Sequence, residues 1–148
     1  KHMMYSEKIS SSVNDTEKIG AELADRLLRE NKPYSFIAMY GDLGSGKTAF
    51  IRGLASVIAP NAHVCSPTYN IVNEYQGDRC KLCHFDMYRI TSEDDLYSIG
   101  FYDYDRCMIA AEWCENVPFA LPESYIKVTI VKTGENSRKI TISEVQDK

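Results

Sequence analysis

Continuous apolar runs and helical apolar stripes alternate along the first two thirds of the chain. The run Phe36–Tyr40 is apolar throughout, which is typical of a strand buried on both faces of a parallel sheet. A second apolar run, from Cys107 to Trp113, carries an acid near its end. Apolar residues recur at helical spacing in two further segments, namely Ile19, Leu23 and Leu27, and then Phe50, Ile51, Leu54, Val57 and Ile58. The pattern therefore predicts strands and helices in alternation, as in an α/β domain.

Shorter alternating segments predict strands with one exposed face. They cover residues 5–12, 69–75, 80–87, 126–130 and 140–142, with hairpin turns predicted at 76–78 and 133–136. Asn14 starts a capping-box pattern with Glu17, which predicts a helix that ends near Glu30. A second capped start at Thr91 predicts a helix to Gly100. We therefore predict an α/β fold with a mixed sheet, in which the centre is parallel, the edge strands are antiparallel and helices cover both faces.

A glycine-rich loop lies between the first buried strand and the second helical stripe. The loop matches the G-x-x-x-x-G-K-T pattern of a P-loop, with residues Gly41, Asp42, Leu43, Gly44, Ser45, Gly46, Lys47 and Thr48. Its glycines let the backbone curl so that N–H groups face phosphate oxygens, and the following helix adds its positive N-terminus. Lys47 would reach the β- and γ-phosphates, and the Thr48 hydroxyl would bind Mg²⁺. We therefore predict a single P-loop NTPase-like domain over residues 4–148 that binds ATP with Mg²⁺.

Two acids and one threonine are further candidates for this chemistry. Glu112 follows the apolar run 108–111, and Asp86 follows the alternating run 82–85. A P-loop protein needs an acid at the end of a neighbouring strand to hold Mg²⁺ directly or through water, and either acid fits that role. Thr68 follows Pro67 in a loop that could present its hydroxyl to the γ-phosphate, as switch loops do.

The composition places the chain among ordinary soluble proteins. Its 148 residues are 44% hydrophobic and 26% charged, and its net charge is −4, so direct binding of nucleic acid by the chain alone is disfavoured. No apolar run approaches the roughly 20 residues of a membrane span. We interpret residues 1–3 as a cloning remnant and expect a cytoplasmic location with reduced thiols.

One cysteine segment formally matches a haem-attachment pattern. Cys80, Cys83 and His84 form C-x-x-C-H, but the segment alternates like a strand. Cys80 and Cys83 would then point to opposite faces of the sheet, where they are poorly suited to share one metal ion. We therefore expect neither haem nor zinc in this segment.

Several motifs in one order resemble the TsaE (YjeE) family of P-loop ATPases. They are the GDLGSGKT loop, Arg52-Gly53, Ser66-Pro67-Thr68-Tyr69, His84-Phe85-Asp86-Met87-Tyr88-Arg89 and Glu112-Trp113-Cys114-Glu115, and together they span about residues 14–116. The resemblance implies a role in the synthesis of threonylcarbamoyladenosine beside the tRNA anticodon, with the partner proteins TsaD and TsaB. Contact with tRNA is then indirect, through that complex.

The resemblance also implies roles for individual residues. Thr48 and Glu112 would be Mg²⁺ ligands, and Asp86 would be an acid needed for ATP hydrolysis. Thr68 would belong to the switch-like loop, and Trp113 would lie next to the nucleotide. The start of the first helix, near Asn14 and Thr16, would lie on the adenine side, whereas the C-terminal hairpin with Arg138 is the least diagnostic part.

The sequence thus predicts an accessory ATPase, and two other readings stay open. No obvious arginine finger stands out, so we expect hydrolysis to be slow alone and stimulated by partners. A small-molecule kinase would need a lid with arginines, but between residues 90 and 110 only Arg106 is basic. A nucleotide-dependent binding module with negligible turnover would use ATP only to change shape and affinity.

Overall fold

The computed structural model describes residues 4–65 and 71–146. The segments interpreted as a cloning remnant, residues 1–3, and as a switch-like loop around Thr68 lie outside the described residues. The described chain forms β1 (Tyr5–Ser10), α1 (Val13–Arg29), β2 (Phe36–Tyr40), α2 (Lys47–Ile58), β3 (Val72–Gln76), β4 (Lys81–Asp86), α3 (Glu93–Ser98), β5 (Cys107–Glu112), β6 (Ser124–Lys132) and β7 (Arg138–Gln146). Three short 3₁₀ helices lie at Phe101–Asp103, Cys114–Asn116 and Pro118–Ala120.

All seven strands belong to one mixed sheet, in the order β1-β7-β6-β2-β5-β4-β3. The pairs β6–β2, β2–β5 and β5–β4 are parallel. The outer pairs β1–β7, β7–β6 and β4–β3 are antiparallel. The parallel strands therefore end at the same edge of the sheet, and the predicted α/β fold with a parallel centre and antiparallel edges is confirmed.

The two long helices cover one face of the sheet and lie very close to each other. A Cβ atom added at Gly53 would lie 2.0 Å from the Glu17 carbonyl oxygen, and one added at Gly20 would lie 2.2 Å from the Phe50 carbonyl oxygen. Each helix therefore contributes a glycine that lets the backbone of the other approach. This contact fixes α2, and with it the P-loop, against α1.

Buried residues form one hydrophobic cluster on each face of the sheet. Leu27, Ile51 and Leu82 belong to the cluster beneath α1 and α2. Phe85 and Phe101 belong to the opposite cluster, which α3 and the 3₁₀ helices cover. Helices therefore lie on both faces, as predicted. No helix in residues 4–65 and 71–146 combines the length and apolarity that a membrane crossing requires.

The start of the first helix differs from the sequence prediction. β1 ends at Ser10 rather than at residue 12, and Ser12 rather than Asn14 caps α1. The Ser12 hydroxyl accepts a hydrogen bond from the Asp15 N–H at 3.0 Å, and the Asp15 carboxylate accepts one from the Ser11 N–H. Ser12 and Asp15 thus form an overlapping capping pattern two residues earlier, which leaves Asn14 inside the first turn.

Candidate functional site

The P-loop connects β2 to α2 in a conformation that depends on its glycines. Gly44 and Gly46 have φ angles of 77° and 113°, which side-chain-bearing residues rarely adopt. Gly46 is the N-cap of α2 and has no side chain, so no capping side chain binds the backbone N–H groups of the first turn. The Ser45 hydroxyl is buried in the loop and has no hydrogen-bond partner among the described residues. A positive helix end with an unpartnered buried hydroxyl fits a phosphate group.

Lys47 is the first residue of α2, and its ammonium group lies at the centre of the site. The side chain is only 5% exposed. Its Nζ donates a hydrogen bond to the Gly41 carbonyl at 2.6 Å and lies 3.8 Å from Glu112 Oε1. Nζ also lies 4.2 Å from the centre of the Trp113 ring, in cation–π geometry. The buried charge of Lys47 is therefore balanced by a carbonyl, a carboxylate and an indole.

Sheet topology brings Glu112 and Asp86 beside the P-loop. β5 lies between β2 and β4, and Asp86 is in register with Glu112 at the carboxyl ends of these parallel strands. Ligands of open α/β sheets bind at this edge. Both predicted acids therefore lie next to the loop, on the sheet face that α1 and α2 cover.

Glu112 is buried and contacts cations and donors on two sides. Its Oε1 faces Lys47, and its Oε2 lies 2.5 Å from Nε2 of His84, which is fully buried on β4. No group of three or more His, Cys, Asp or Glu side chains in the described chain is placed to hold a metal ion by itself. Mg²⁺ is typically bound by one or two protein oxygens together with phosphate and water, so Thr48 and Glu112 would suffice with a bound nucleotide.

Asp86 differs from Glu112 in exposure and in its contacts. It is half-buried, and its Oδ1 accepts a hydrogen bond from the Tyr88 N–H at 3.0 Å. Burial raises the pKa of Asp86 above its ordinary value, and the nearby Glu112 carboxylate adds to this effect. The main-chain hydrogen bond fixes the carboxylate at the edge of the site.

Trp113 turns the chain away from β5 immediately after Glu112. Its backbone has a φ of 63°, a left-handed conformation that is uncommon for a residue with a side chain. The indole also contacts Tyr88 edge to face, with 5.2 Å between ring centres. The turn therefore places the indole against Lys47, next to the predicted nucleotide position.

Arg138 contacts the P-loop from β7, which lies two strands away from β2 in the sheet. Its Nε donates to the Ser45 carbonyl at 2.7 Å, and its Nη2 donates to the Gly44 carbonyl at 3.2 Å. Sequence analysis gave Arg138 no role, and no local signal could have done so, because the residue is 93 positions from Ser45. Its contact with the loop requires β7 and β6 to follow β2 in the sheet.

A cavity of about 320 Å³ lies between the P-loop, the start of α1 and the C-terminal hairpin. Its lining includes Ser12, Thr16, Gly46, Asn136 and Arg138. Thr16 is buried and shares a hydrogen bond with Ser10 at 2.7 Å between their hydroxyl oxygens. Asn14, in contrast, is exposed and does not line this cavity. The cavity adjoins the P-loop where the base of a nucleotide could lie.

The structure also places the remaining residues that the sequence analysis singled out. Asp42 and Leu43 are exposed at the tip of the P-loop, and Thr48 is half-buried on α2. Cys80 and Cys83 belong to the two different hydrophobic clusters, so they lie on opposite faces of the sheet, as predicted.

Comparisons with known proteins give the same family as the motifs. The family described as "Threonylcarbamoyl adenosine biosynthesis protein TsaE" matches residues 10–140. The TsaE protein of Treponema pallidum is 33% identical over 137 residues, which cover 91% of this chain and 98% of that protein. The TsaE protein of Haemophilus influenzae is 36% identical over 118 residues, covering 76% and 73% of the two chains.

The fold has a counterpart among solved structures. The crystal structure of Bacillus subtilis YdiB superimposes with a TM-score of 0.74 at 24% identity, covering 98% of this chain and 88% of that one. This structural similarity shows the fold alone, whereas the family match over residues 10–140 shows which family the sequence belongs to. The chain therefore belongs to the TsaE family of tRNA threonylcarbamoyladenosine biosynthesis proteins.

Proposed function

We propose that this protein is a Mg²⁺-dependent ATPase that assists threonylcarbamoylation of tRNA as a subunit working with TsaB and TsaD. Family membership gives the pathway. The arrangement of Lys47, Glu112 and Asp86 around the P-loop carries the proposal of ATP hydrolysis. The proposed partners and their stimulation of hydrolysis come from the family resemblance.

Phosphoryl transfer to water depends on positioning and charge neutralisation more than on covalent chemistry. The loop N–H groups and Lys47 would hold the phosphates, and Thr48 and Glu112 would hold Mg²⁺, which neutralises phosphate charge when bound. Lys47 would leave the Gly41 carbonyl for phosphate oxygens without a large movement, because it already lies at the start of α2. Asp86 would orient the attacking water from the next strand.

Two features of the molecule favour an accessory subunit over a kinase. Residues 90–106, between β4 and β5, carry five acids and a single basic residue, Arg106, whereas a kinase lid needs arginines over the phosphates. The net charge of −4 also suits a protein that leaves tRNA binding to its partners.

Phosphate release is the experiment that tests the proposal. The protein is incubated with Mg-ATP alone, with TsaB, with TsaD and with both partners together. We expect slow release alone and faster release with both partners. ADP formation that requires a small-molecule acceptor, with the phosphoryl group found on that acceptor and not as free phosphate, would instead indicate a kinase. ATP binding without ADP formation under any condition would indicate a binding module.

The assigned metal ligands predict a specific dependence on Mg²⁺. Glu112→Ala and Thr48→Ala should weaken ATP binding in Mg²⁺ at least tenfold and change it little in EDTA, because only the metal-dependent part of the affinity is lost. Calorimetry under both conditions measures this difference. Exposed Glu123, which precedes β6 and does not line the cavity beside the P-loop, provides the control Glu123→Ala, which should bind as the wild type does. Equal losses in Mg²⁺ and EDTA would mean that Thr48 and Glu112 are structural.

A further inference from the structure

We propose that His84 is a positioning residue. It holds the Glu112 carboxylate so that one of its oxygens faces the proposed Mg²⁺ position beside the P-loop. This inference rests on the proposed function, since it concerns the same Mg²⁺ site. It goes beyond that function because it gives a role to a side chain that touches neither nucleotide nor metal.

The first observation is the geometry of the contact between His84 and Glu112. His84 is fully buried on β4, and its Nε2 lies 2.5 Å from Oε2 of Glu112 on β5. The other oxygen, Oε1, lies 3.8 Å from Lys47 Nζ. The carboxylate is therefore bound at one oxygen by the imidazole, and its second oxygen faces the P-loop.

The second observation fixes the direction of the hydrogen bond. Nδ1 of His84 is buried and has no hydrogen-bond partner among the described residues. A proton on Nδ1 would be an unsatisfied donor in the core, whereas a proton on Nε2 is accepted by Glu112 Oε2. We therefore assign the Nε2–H tautomer, in which His84 donates and Glu112 accepts.

These two observations have a consequence for the metal site. Carboxylates that bind metals are commonly fixed by hydrogen bonds from neighbouring groups, and loss of such a partner lowers metal affinity about 10- to 100-fold. Without His84, the Glu112 side chain could turn toward Lys47 with both oxygens. The hydrogen bond from the imidazole holds Oε2 in place. Oε1 therefore stays available to bind Mg²⁺ when Lys47 contacts phosphate.

The strand offers matched variants for a test. His84→Gln can place its amide N–H near the position of Nε2, whereas His84→Leu has similar bulk without a donor. Cys83→Ala changes a neighbouring residue that is also fully buried but faces the opposite cluster, so it controls for general loss of packing on β4.

The experiment measures ATP affinity by calorimetry over a range of Mg²⁺ concentrations and in EDTA. We expect His84→Leu to raise the Mg²⁺ concentration of half-maximal effect about 10- to 100-fold, with affinity in EDTA within about twofold of the wild type. His84→Gln should restore most of the Mg²⁺ response, and Cys83→Ala should leave it unchanged. In a Glu112→Ala background, His84→Leu should have no further effect on the Mg²⁺ response.

A second measurement needs neither nucleotide nor metal. Nitrogen NMR of the ¹⁵N-histidine-labelled protein should show a His84 ring protonated at Nε2. Its signals should move in Glu112→Gln, while those of His63 should not.

Each outcome decides between the claims. An unchanged Mg²⁺ response in His84→Leu, or equal losses in Mg²⁺ and EDTA matched by Cys83→Ala, would overturn the positioning role. If His84→Leu does not fold, the shorter His84→Asn replaces it, and an Mg²⁺ response equal to that of His84→Gln would overturn the role. A wild-type protein whose ATP affinity ignores Mg²⁺ would overturn the proposed metal site, and the NMR result would still report the hydrogen bond.

Discussion

Lys47 shows how a ligand-binding side chain can also be part of the folded core. Sequence reasoning assigns it to phosphate, and the structure adds that it is buried against Gly41, Glu112 and Trp113. Removal of Lys47 therefore removes both a phosphate contact and a buried partner of Glu112. Its substitution should affect binding and stability together.

We expect Lys47→Ala to abolish detectable Mg-ATP binding in calorimetry, because the other cation beside the loop, Arg138, is held by the Ser45 and Gly44 carbonyls and does not replace the Lys47 ammonium group. The variant should keep its far-ultraviolet circular dichroism but unfold at a lower temperature, since Glu112 loses a buried counter-charge. Lys81→Ala is the control, because Lys81 is partly exposed and pairs with Glu74 at 2.8 Å. A folded Lys47→Ala protein with unchanged ATP affinity would overturn the P-loop assignment.

Asp86 provides the second prediction at this scale, and it separates binding from turnover. Interactions that exist only in the transition state change turnover rather than affinity. Asp86→Asn keeps the size of the side chain and removes its charge, so it should bind ATP and assemble with TsaB and TsaD normally. Partner-stimulated phosphate release should fall roughly 10²-fold or more, the scale of a positioned acid–base group.

The control for Asp86 is Asp78→Asn, at an exposed position in the turn after β3. This variant should retain full activity. Tenfold weaker ATP binding with normal turnover at saturation would place Asp86 in nucleotide binding instead. Normal binding and normal turnover would reduce Asp86 to a carboxylate at a strand end.

At the scale of elements, the contact between α1 and α2 holds α2, and with it the P-loop, in place. The helices approach so closely that Gly53 has no room for a methyl group, because the Glu17 carbonyl oxygen would lie 2.0 Å from it. The nearby atoms belong to helix backbone, which cannot turn aside as a side chain can. The spacing of the two helices therefore depends on glycine at this position.

Gly53→Ala should lower the free energy of unfolding by about 2 kcal/mol, because overpacking outweighs the better helix propensity of alanine. Urea denaturation followed by circular dichroism measures the change. Gly134→Ala is the matched control, since the close contact of its added methyl group would be with the Ser137 hydroxyl, which can rotate, and not with helix backbone. Equal stability of the two variants would refute the close helix contact.

At the scale of the whole molecule, burial decides which thiols react. Cys65 is exposed, whereas Cys80, Cys83, Cys107 and Cys114 are buried. Burial, with smaller contributions from Glu115 and Glu112, raises the pKa of Cys114 to about 12, so that little thiolate forms at neutral pH. The fold therefore protects thiols that lie within the motif segments.

Alkylation by iodoacetamide at pH 8 should modify one thiol rapidly and the other four only after unfolding. Mass spectrometry of tryptic peptides should find the rapid label on Cys65, and Cys65→Ser should abolish the fast phase. Rapid labelling of Cys114 or Cys83 in the folded protein would contradict the buried positions of these side chains.

The sequence by itself determined the features that depend on neighbours along the chain. The P-loop pattern, the buried run Phe36–Tyr40 and the stripe of α2 are each set by spacing within about fifteen residues. The same local information predicted the opposite orientation of Cys80 and Cys83, because side chains alternate along a strand. It also predicted that Glu112 and Asp86 each lie at the end of a strand.

Only the tertiary structure decided how distant segments meet. The hydrogen bond between His84 and Glu112 joins residues 28 positions apart, and the contact of Arg138 with Ser45 joins residues 93 positions apart. Both depend on strand order and register, which a local pattern does not contain. The choice of Ser12 over Asn14 as helix cap also required the structure, because two overlapping patterns satisfy the same rule and the end of β1 selects between them. Local spacing therefore determined the chemistry available in this chain, and sheet topology determined which of those groups act on one another.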